Sequence, residues 1–473
     1  MEVHDEKGTF RDHLSTLDDS GNRRWIYPKK PFGQYFNARK IVSYVLLVVL
    51  FAGPWIKIDG EPLFMVNILL RKFVIFGKVF WPQDFYLFGL AMITFVVFIV
   101  LFTVAFGRLF CGWVCPQTIF MEMLFRRIEY LIEGDWKHQQ RLDKMPWNAE
   151  KIRKKGLKHF LFLIISFLIS NTFLAYIIGS DALIEIITDP PSQHLGGLIA
   201  IIAFTGVFYG VFARLREQVC TNICPYGRLQ GVLLDRNSMI VAYDHKRGEA
   251  TAGRSSWRKN ENRAEEGKGD CIDCNACVDV CPTGIDIRNG TQLECVNCTA
   301  CMDACDHVME KVGFDTALIG YKSEESIETG SRFTYSTRLK AYTVVLGILV
   351  VAMVALIITR ADIGATVLRT PGMLYQEGEK NTITNLYNYK VINKTGEDMH
   401  LTLKVVDGLG TVKMVGDELK ELPAQGTIEG VLFIAIPKGE LEKMKTRLTL
   451  GIYNGDELIK KINTNFIGPQ PKK

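Results

Sequence analysis

The chain has 473 residues, 48% of them apolar, with a formal charge of +5. That length suits two or three soluble domains, or a membrane domain with smaller soluble ones. The modest charge, with no long basic run, argues against nucleic acid as a partner. The twelve cysteines all fall in Cys-x-x-Cys or Cys-x-x-x-Cys spacings. Such clustering reads as metal ligation by reduced thiols rather than as a disulfide framework. The polar, charged N-terminus carries no pattern of a cleavable signal peptide.

In chain order, a cytoplasmic segment is expected over 1–40. Apolar stretches then lie at about 41–58, 87–106, 158–178, 195–213 and 341–359. Each approaches the ~20 residues that a helix needs to cross a bilayer. Five such runs, nearly free of charge, make a buried soluble helix an inferior reading. Gly53-Pro54 falls in the first stretch and Gly206 and Gly210 in the fourth, as membrane helices tolerate. Lys and Arg set the orientation. Lys29, Lys30, Arg39 and Lys40 precede the first span. Arg126, Arg127, Lys151, Arg153, Lys154 and Lys155 separate the second and third. Arg214, Arg216 and Arg228 follow the fourth, and Arg332, Arg338 and Lys340 precede the fifth. The 180–194 loop has Asp181, Glu185 and Asp189 and no Lys or Arg. The N-terminus is therefore expected inside and the C-terminus outside. The 59–86 loop dissents with Arg71, Lys72 and Lys78, expected on a short interfacial helix.

The expected membrane domain, 41–235, contains a repeat. Arg108-Leu-Phe-Cys111-Gly-Trp-Val-Cys115-Pro116 follows the second span, and Arg216-Glu-Gln-Val-Cys220-Thr-Asn-Ile-Cys224-Pro225 follows the fourth. The two Cys pairs are offset by the same 109 residues. Residues four apart share a helix face, so each pair can present two thiols together. Pro116 and Pro225 suit the first turn of a following helix, which puts Cys115 and Cys224 at a helix N-terminus that favours thiolate. Two soft thiolates select Cu(I), and all four together could hold a further iron–sulfur cluster or zinc. Met121 and Met123 are possible thioether ligands, though methionines there are more commonly packing. The bland alternative is two pairs of inert buried cysteines. Glu122 and Glu217 read as solvated or interfacial.

Residues 236–340 form the expected cytoplasmic linker and cluster domain, with 244–270 a flexible linker or surface excursion. Then come Cys271-x-x-Cys274-x-x-Cys277-x-x-x-Cys281-Pro282 and Cys295-x-x-Cys298-x-x-Cys301-x-x-x-Cys305. Three cysteines of each run wrap one [4Fe–4S] cluster and the fourth ligates the other. One cluster thus takes Cys271, Cys274, Cys277 and Cys305, and the other takes Cys281, Cys295, Cys298 and Cys301. Zinc is the competing reading, but it commonly uses separated Cys-x₂-Cys pairs. Asp306 stands where the second run would have proline. No histidine lies mid-span, so haem is not expected. His307 is expected at a turn.

After the fifth span at 341–359, residues 360–473 become strand-like. Strands are expected at Thr382–Asn393, Met399–Val406, Ile428–Pro437, Arg447–Tyr453 and Leu458–Phe466, broken by Lys394-Thr395-Gly396-Glu397 and Asn454-Gly455-Asp456. This spacing suggests an immunoglobulin-like β-sandwich outside the membrane. Asn393-Lys394-Thr395 is a weak glycosylation match. The fold class is therefore a multi-domain membrane protein: a bundle of five transmembrane helices, a bacterial-type two-[4Fe–4S] ferredoxin-like domain and a C-terminal β-sandwich.

Taken together, Trp25-Ile26-Tyr27-Pro28, Cys-Gly-Trp-Val-Cys-Pro, Cys-Thr-Asn-Ile-Cys-Pro-Tyr-Gly-Arg, the two cluster runs and the outer β-domain resemble the cytochrome c oxidase accessory proteins of the CcoG/FixG/RdxA group. The resemblance covers nearly the whole chain. It implies a bacterial inner-membrane protein that reduces Cu(II) to Cu(I) during assembly of a cbb-type haem–copper oxidase. Cys111, Cys115, Cys220 and Cys224 would be the copper-proximal thiols. Expected partners are the lipid bilayer, a copper transporter or chaperone, oxidase assembly factors and an electron donor the sequence does not name. Two other readings compete: a quinol dehydrogenase feeding a periplasmic reductase, and a non-catalytic assembly scaffold. The first needs an outward electron route, yet residues 363–473 contain no cysteine and one histidine, His400.

Overall fold

The computed structural model describes Thr16, Ser20 and residues 22–469, apart from 59, 69–71, 82, 83, 260, 332–334, 373, 379, 380, 416–420 and 442. Arg71 and Arg332 lie outside the described residues. Among the described residues, five helical runs are long and apolar enough to cross a membrane. They are α1 (Gln34–Ala52), α2 (Phe85–Phe106), α3 (Ala149–Ile178), the run Pro191–Leu215 around α4 (Leu195–Gly210) and α5 (Thr337–Ile358). The outward faces of α2, α4 and α5 are apolar and exposed, among them Phe95, Ile199, Val207, Ile348 and Val351. An exposed apolar girdle of this kind is what a bilayer solvates. Helix α1 starts well before the expected 41–58 and stops at Ala52. Pro54 lacks an N–H and cannot continue the ladder, so Gly53-Pro54 ends the helix rather than kinking it. The start is set by tertiary structure. The N-cap Gly33 offers no side chain, and Asp303, far away in sequence, accepts from the backbone N–H of Tyr35 at 3.1 Å and Phe36 at 2.7 Å. That carboxylate does the work of a capping residue.

The chain forms two compact units: Met1–Ile56 with Leu90–Val351, and Lys57–Gly89 with Ala352–Lys473. In the first, Phe120, Phe125, Phe162, Ile169 and Phe212 form the helical core. Short π-helical turns at Phe120–Phe125 and Val211–Leu215 flank the two Cys-Pro motifs, and a third at Val219–Ile223 lies within the second; such turns gather at functional sites. The cysteine-rich segment adds the antiparallel pair Ile240–Tyr243 and Ile319–Lys322, and the helix Ala300–Val312. Of the two readings of 244–270, the surface excursion holds for its described residues. Ala250 bridges Lys268. Buried Arg263 donates to the carbonyls of Gly269 at 2.8 Å and Cys271 at 3.0 Å, closing the excursion at its base.

In the second unit, the dissenting loop is a small antiparallel sheet, not a helix. Its strands are Phe64–Asn67, Lys72–Ile75 and Lys78–Phe80, with Met65, Val74 and Val79 inside. The β-branched and aromatic residues there suit strands, and Lys72 and Lys78 lie on them. The C-terminal domain has two sheets. One orders strands Thr411–Val415, Thr427–Pro437, Thr382–Asn393 and Ile363–Arg369; the other orders Leu401–Val405, Lys445–Asn454 and Glu457–Ile467. Ile383, Tyr387, Tyr389 and Val391 alternate inward against Leu432, Ile434, Leu450 and Phe466. Ile363–Arg369, Gln376–Gly378 and Thr411–Val415 are strands beyond those expected. Asn393 is fully buried, with its amide donating to Glu397 O at 2.6 Å and Pro423 O at 3.2 Å, so it is a turn-closing residue and no sugar acceptor.

The α2 entrance and the sandwich share one buried carboxylate. Asp84, 4% exposed, accepts from Arg360 Nη2 at 2.7 Å and Lys394 Nζ at 2.5 Å. Removing one partner of a buried ion pair costs about 3–5 kcal/mol. Asp84→Ala is therefore expected to lower the unfolding midpoint of this unit clearly in urea melts of the detergent-solubilised chain. An unchanged midpoint would mean that the pair is solvated.

Candidate functional site

Both cysteine runs fold the same way. The residues on either side of the second cysteine are left-handed: Asp273 (φ 55°) and Asn275 (φ 57°) around Cys274, Asn297 (φ 52°) and Thr299 (φ 66°) around Cys298. Non-glycine residues rarely adopt this region. Here it turns successive N–H groups toward one centre, the concavity that iron–sulfur sites use. Asn275 and Thr299 then cap the helices Ala276–Asp279 and Ala300–Val312. The second helix continues well past Cys305, which explains Asp306: proline there would break it. Instead the Asp306 carboxylate accepts from Ala317 N at 2.7 Å. His307 sits within this helix, edge-on to Phe32 at 5.0 Å, rather than at a turn.

The eight thiols surround two chambers. Cys271, Cys274, Cys277 and Cys305 line the outer one. Cys281, Cys295, Cys298 and Cys301 line the inner one, and Cys277 touches its edge. The fourth cysteine of each run therefore crosses to the other chamber. Three cysteines of one run with the fourth of the other is the ligand sharing of a two-cluster ferredoxin, whereas zinc commonly takes separated Cys-x₂-Cys pairs. Burial pushes the thiols up, to about 11 for Cys295 and about 12 for Cys298 and Cys305. Ligation must therefore displace protons.

The Cys-Pro motifs do not form one continuous helix each. Cys111 lies in the turn Leu109–Trp113 and Cys220 in the π turn Val219–Ile223. Cys115 and Cys224 are extended N-cap residues (ψ 123° and 113°) of the helices that Pro116 and Pro225 begin. Proline removes the N–H that a helix start leaves unpaired. The two motifs meet. Burial pushes Cys111 up to about 11, with Gln230 opposing it and Cys115 and Cys224 adding to it, and pushes Cys220 up to about 12, helped by Cys115 and Cys111 of the other motif. Gln230, fully buried on the second motif's helix, has its amide 3.4 Å from Cys111 Sγ.

This thiol group packs directly on the inner chamber. Cys111 and Cys220 lie against Val296 and Cys298 in one apolar cluster. A Cβ on Gly112 would stand 2.5 Å from Asn297 O and 2.6 Å from Val296 O. Two arginines clamp the contact. Arg108 donates to Cys295 O at 3.3 Å and Gly227 O at 2.9 Å, and also to Leu293 O. Arg39 donates to Gly112 O at 2.6 Å. Trp113 Nε1 reaches Tyr321 OH at 3.1 Å. An open cleft leads from solvent to Cys220, past Arg228, His245 and Glu294.

Beside the motifs lies a buried charge network. Glu217 meets Arg23 at 3.0 Å and Arg126 at 3.9 Å, Arg126 meets Glu122, and Glu129 meets Arg216 and Lys158. Glu122 and Glu217 are thus paired inside rather than solvated. Arg216 has a left-handed backbone (φ 52°), the repeat counterpart of Gly107 (φ 56°). Its guanidinium stacks on Trp25 at 4.6 Å, with Arg23 on the same ring at 4.3 Å. Met121 is buried beside Cys220 in a small cavity, whereas Met123 packs near Arg127.

A family described as "4Fe-4S dicluster domain" matches residues 215–324, and one described as "4Fe-4S binding domain" matches 88–137. Together these ranges take in all twelve cysteines. An "IG-like fold at C-terminal of FixG" matches 353–469. Protein RdxA of Cereibacter sphaeroides is 33% identical over 433 residues, covering 88% of this chain and 90% of its own. The chain belongs to the FixG/RdxA family. RdxB of the same organism is 32% identical, covering 90% of this chain and 92% of its own. Nitrogen fixation protein FixG of Rhizobium meliloti is 40% identical over 308 residues, 63% of this chain; the match spans 57% of that relative's length. As a FixG/RdxA family member, the chain is an iron–sulfur electron-transfer protein with an immunoglobulin-like C-terminal domain.

Sequence reasoning missed Arg39, Gly112, Arg108 and Gln230 as site residues. Arg39 was counted only as a topological charge, and nothing in its spacing signals burial. Gly112→Ala places a methyl group against two backbone carbonyls, which cannot rotate away. It is expected to push Cys111 off the inner chamber and to broaden or abolish one of two cluster EPR signals. Gly196→Ala, whose Cβ meets nothing within 4 Å, is the control. An unaltered pair of signals in Gly112→Ala would refute this contact.

Proposed function

We propose that this protein is a membrane-embedded cupric reductase, which passes single electrons from two [4Fe–4S] clusters to copper during maturation of a cbb-type cytochrome c oxidase. Cys271, Cys274, Cys277 and Cys305 hold the outer cluster; Cys281, Cys295, Cys298 and Cys301 hold the inner one. Cys111, Cys115, Cys220 and Cys224 receive copper. The observation that carries this reading is the packing of Cys111 and Cys220 on the loop of the inner chamber. Electron transfer needs such proximity, and thiolates favour Cu(I) over Cu(II), which pulls the reduction forward. The cleft reaching Cys220 offers copper an entry. Arg and Lys distribution puts the N-terminus and the clusters on the cytoplasmic side of the inner membrane and the β-domain in the periplasm. The donor is a protein, a quinol or a diffusible reductant. A copper transporter or chaperone takes the product.

The 88–137 match supports a second reading, in which the four motif thiols hold a further iron–sulfur cluster. One assay separates them. Protein purified anaerobically in detergent and reduced with dithionite, then freed of excess reductant, is given Cu(II) and a Cu(I)-specific chromogenic chelator. Wild type is expected to release Cu(I). Cys111→Ala/Cys115→Ala and Cys220→Ala/Cys224→Ala are expected to lose at least tenfold in rate while keeping their iron. Iron lost from the motif variants would favour the further cluster. Copper reduction indifferent to the motifs would sink the cupric reductase and leave quinol oxidation as the activity to assay.

A further inference from the structure

Beside the loop that leads into Cys298 lies a buried cation. Arg39 is 1% exposed. Its Nε is bound to the Gly112 carbonyl, and its Nη2 has no hydrogen-bond partner. Among the described residues no acidic side chain forms an ion pair with it, and the Gly112 that it holds abuts the carbonyls of Val296 and Asn297, next to Cys298. An isolated buried guanidinium is strongly unfavourable unless negative charge meets it. Four thiolates around a [4Fe–4S] core supply that charge, and reduction adds to it.

The outer chamber differs. Its arginines are already paired: Arg288 with Asp273 at 2.5 Å and Asp286 at 2.7 Å, Arg247 with Asp270 at 2.6 Å. Cys274 is exposed to solvent. Near the inner chamber, Arg108 is a second buried cation bound only to backbone carbonyls, with its Nε unpaired, and the Asp303 carboxylate is engaged by the N–H groups that start α1.

Cluster potential depends on local charge, hydrogen bonding and solvent access. Burial opposes reduction, because the added negative charge loses solvation. A nearby unpaired cation opposes that penalty. We infer that Arg39 is a positioning residue that raises the reduction potential of the inner cluster above that of the outer one, so that electrons collect beside the motif thiols. The inference rests on the chambers holding clusters and is independent of copper as the final acceptor.

The test is a dithionite titration of the full-length protein in detergent, followed by EPR, with iron and sulfide measured for each variant. Cys274→Ser identifies the outer cluster's signal. Arg39→Gln is expected to lower the inner cluster's reduction equilibrium at least tenfold, 59 mV for one electron, with the outer signal unmoved. Arg39→Lys, which keeps the charge, should shift it less. The idea is overturned if neither signal moves with iron intact, if both move together, or if only the outer one moves. Should Arg39→Gln fail to assemble the inner cluster, wild type decides: the inner cluster reducing first upholds the inference, the outer one first overturns it. Wild type lacking iron and sulfide would remove the cluster assignment itself, which separates the two failures.

Discussion

Two backbone carbonyls, of Val296 and Asn297, come within a hypothetical methyl radius of Gly112, and the rest of the first unit is arranged around that approach. Only a residue without a side chain lets the first Cys-Pro motif lie on the inner cluster loop. Arg108 and Arg39 then lock the contact by donating to carbonyls on both sides of it. Neither arginine is a ligand. Arg108 gives both of its Nη groups, and Arg39 its Nε, to carbonyls that the close approach removes from water, where an unpaired carbonyl would cost about 1–3 kcal/mol.

The N-terminal segment follows from the same constraint. Arg39 is delivered by α1, whose first turn is capped by Asp303 from the cluster helix. Upstream, Trp25 lies between Arg23 and Arg216, and Lys29 N binds Asp279 O at 2.7 Å. The segment is thus a strap between the cluster domain and the charge network below the motifs. That network is costly to bury and is nearly balanced: Arg23, Arg126, Arg216 and Lys158 face Glu122, Glu129, Glu133 and Glu217. Its members hold Arg216 in a left-handed backbone conformation that glycine would adopt without strain. The strain sits four residues before Cys220, at the repeat position of Gly107.

Much of this was legible in the sequence because the signals are local. Ligand spacing foretold which four cysteines share each chamber, and apolar run length foretold five long helices. Period-two alternation located Thr382–Asn393 to the residue. The misses are all tertiary. Arg39 and Glu217 read as surface charges because nothing local distinguishes a buried ion from a solvated one. The closure of the 244–270 excursion depends on Arg263, whose partners are backbone carbonyls that leave no mark in composition. The sheet at 57–80 was obscured by its lysines, and α1 was misplaced because the carboxylate that caps its first turn belongs to Asp303.

The proposed electron path from the clusters to the motif thiols is open to single-turnover stopped flow: the fully reduced protein, with no free reductant, is mixed with Cu(II) while cluster absorbance and Cu(I)–chelator colour are followed together. Cluster oxidation and Cu(I) formation are expected to share one rate and a one-to-one electron count. Cu(I) appearing while the clusters stay reduced, or clusters oxidising without Cu(I), would contradict it.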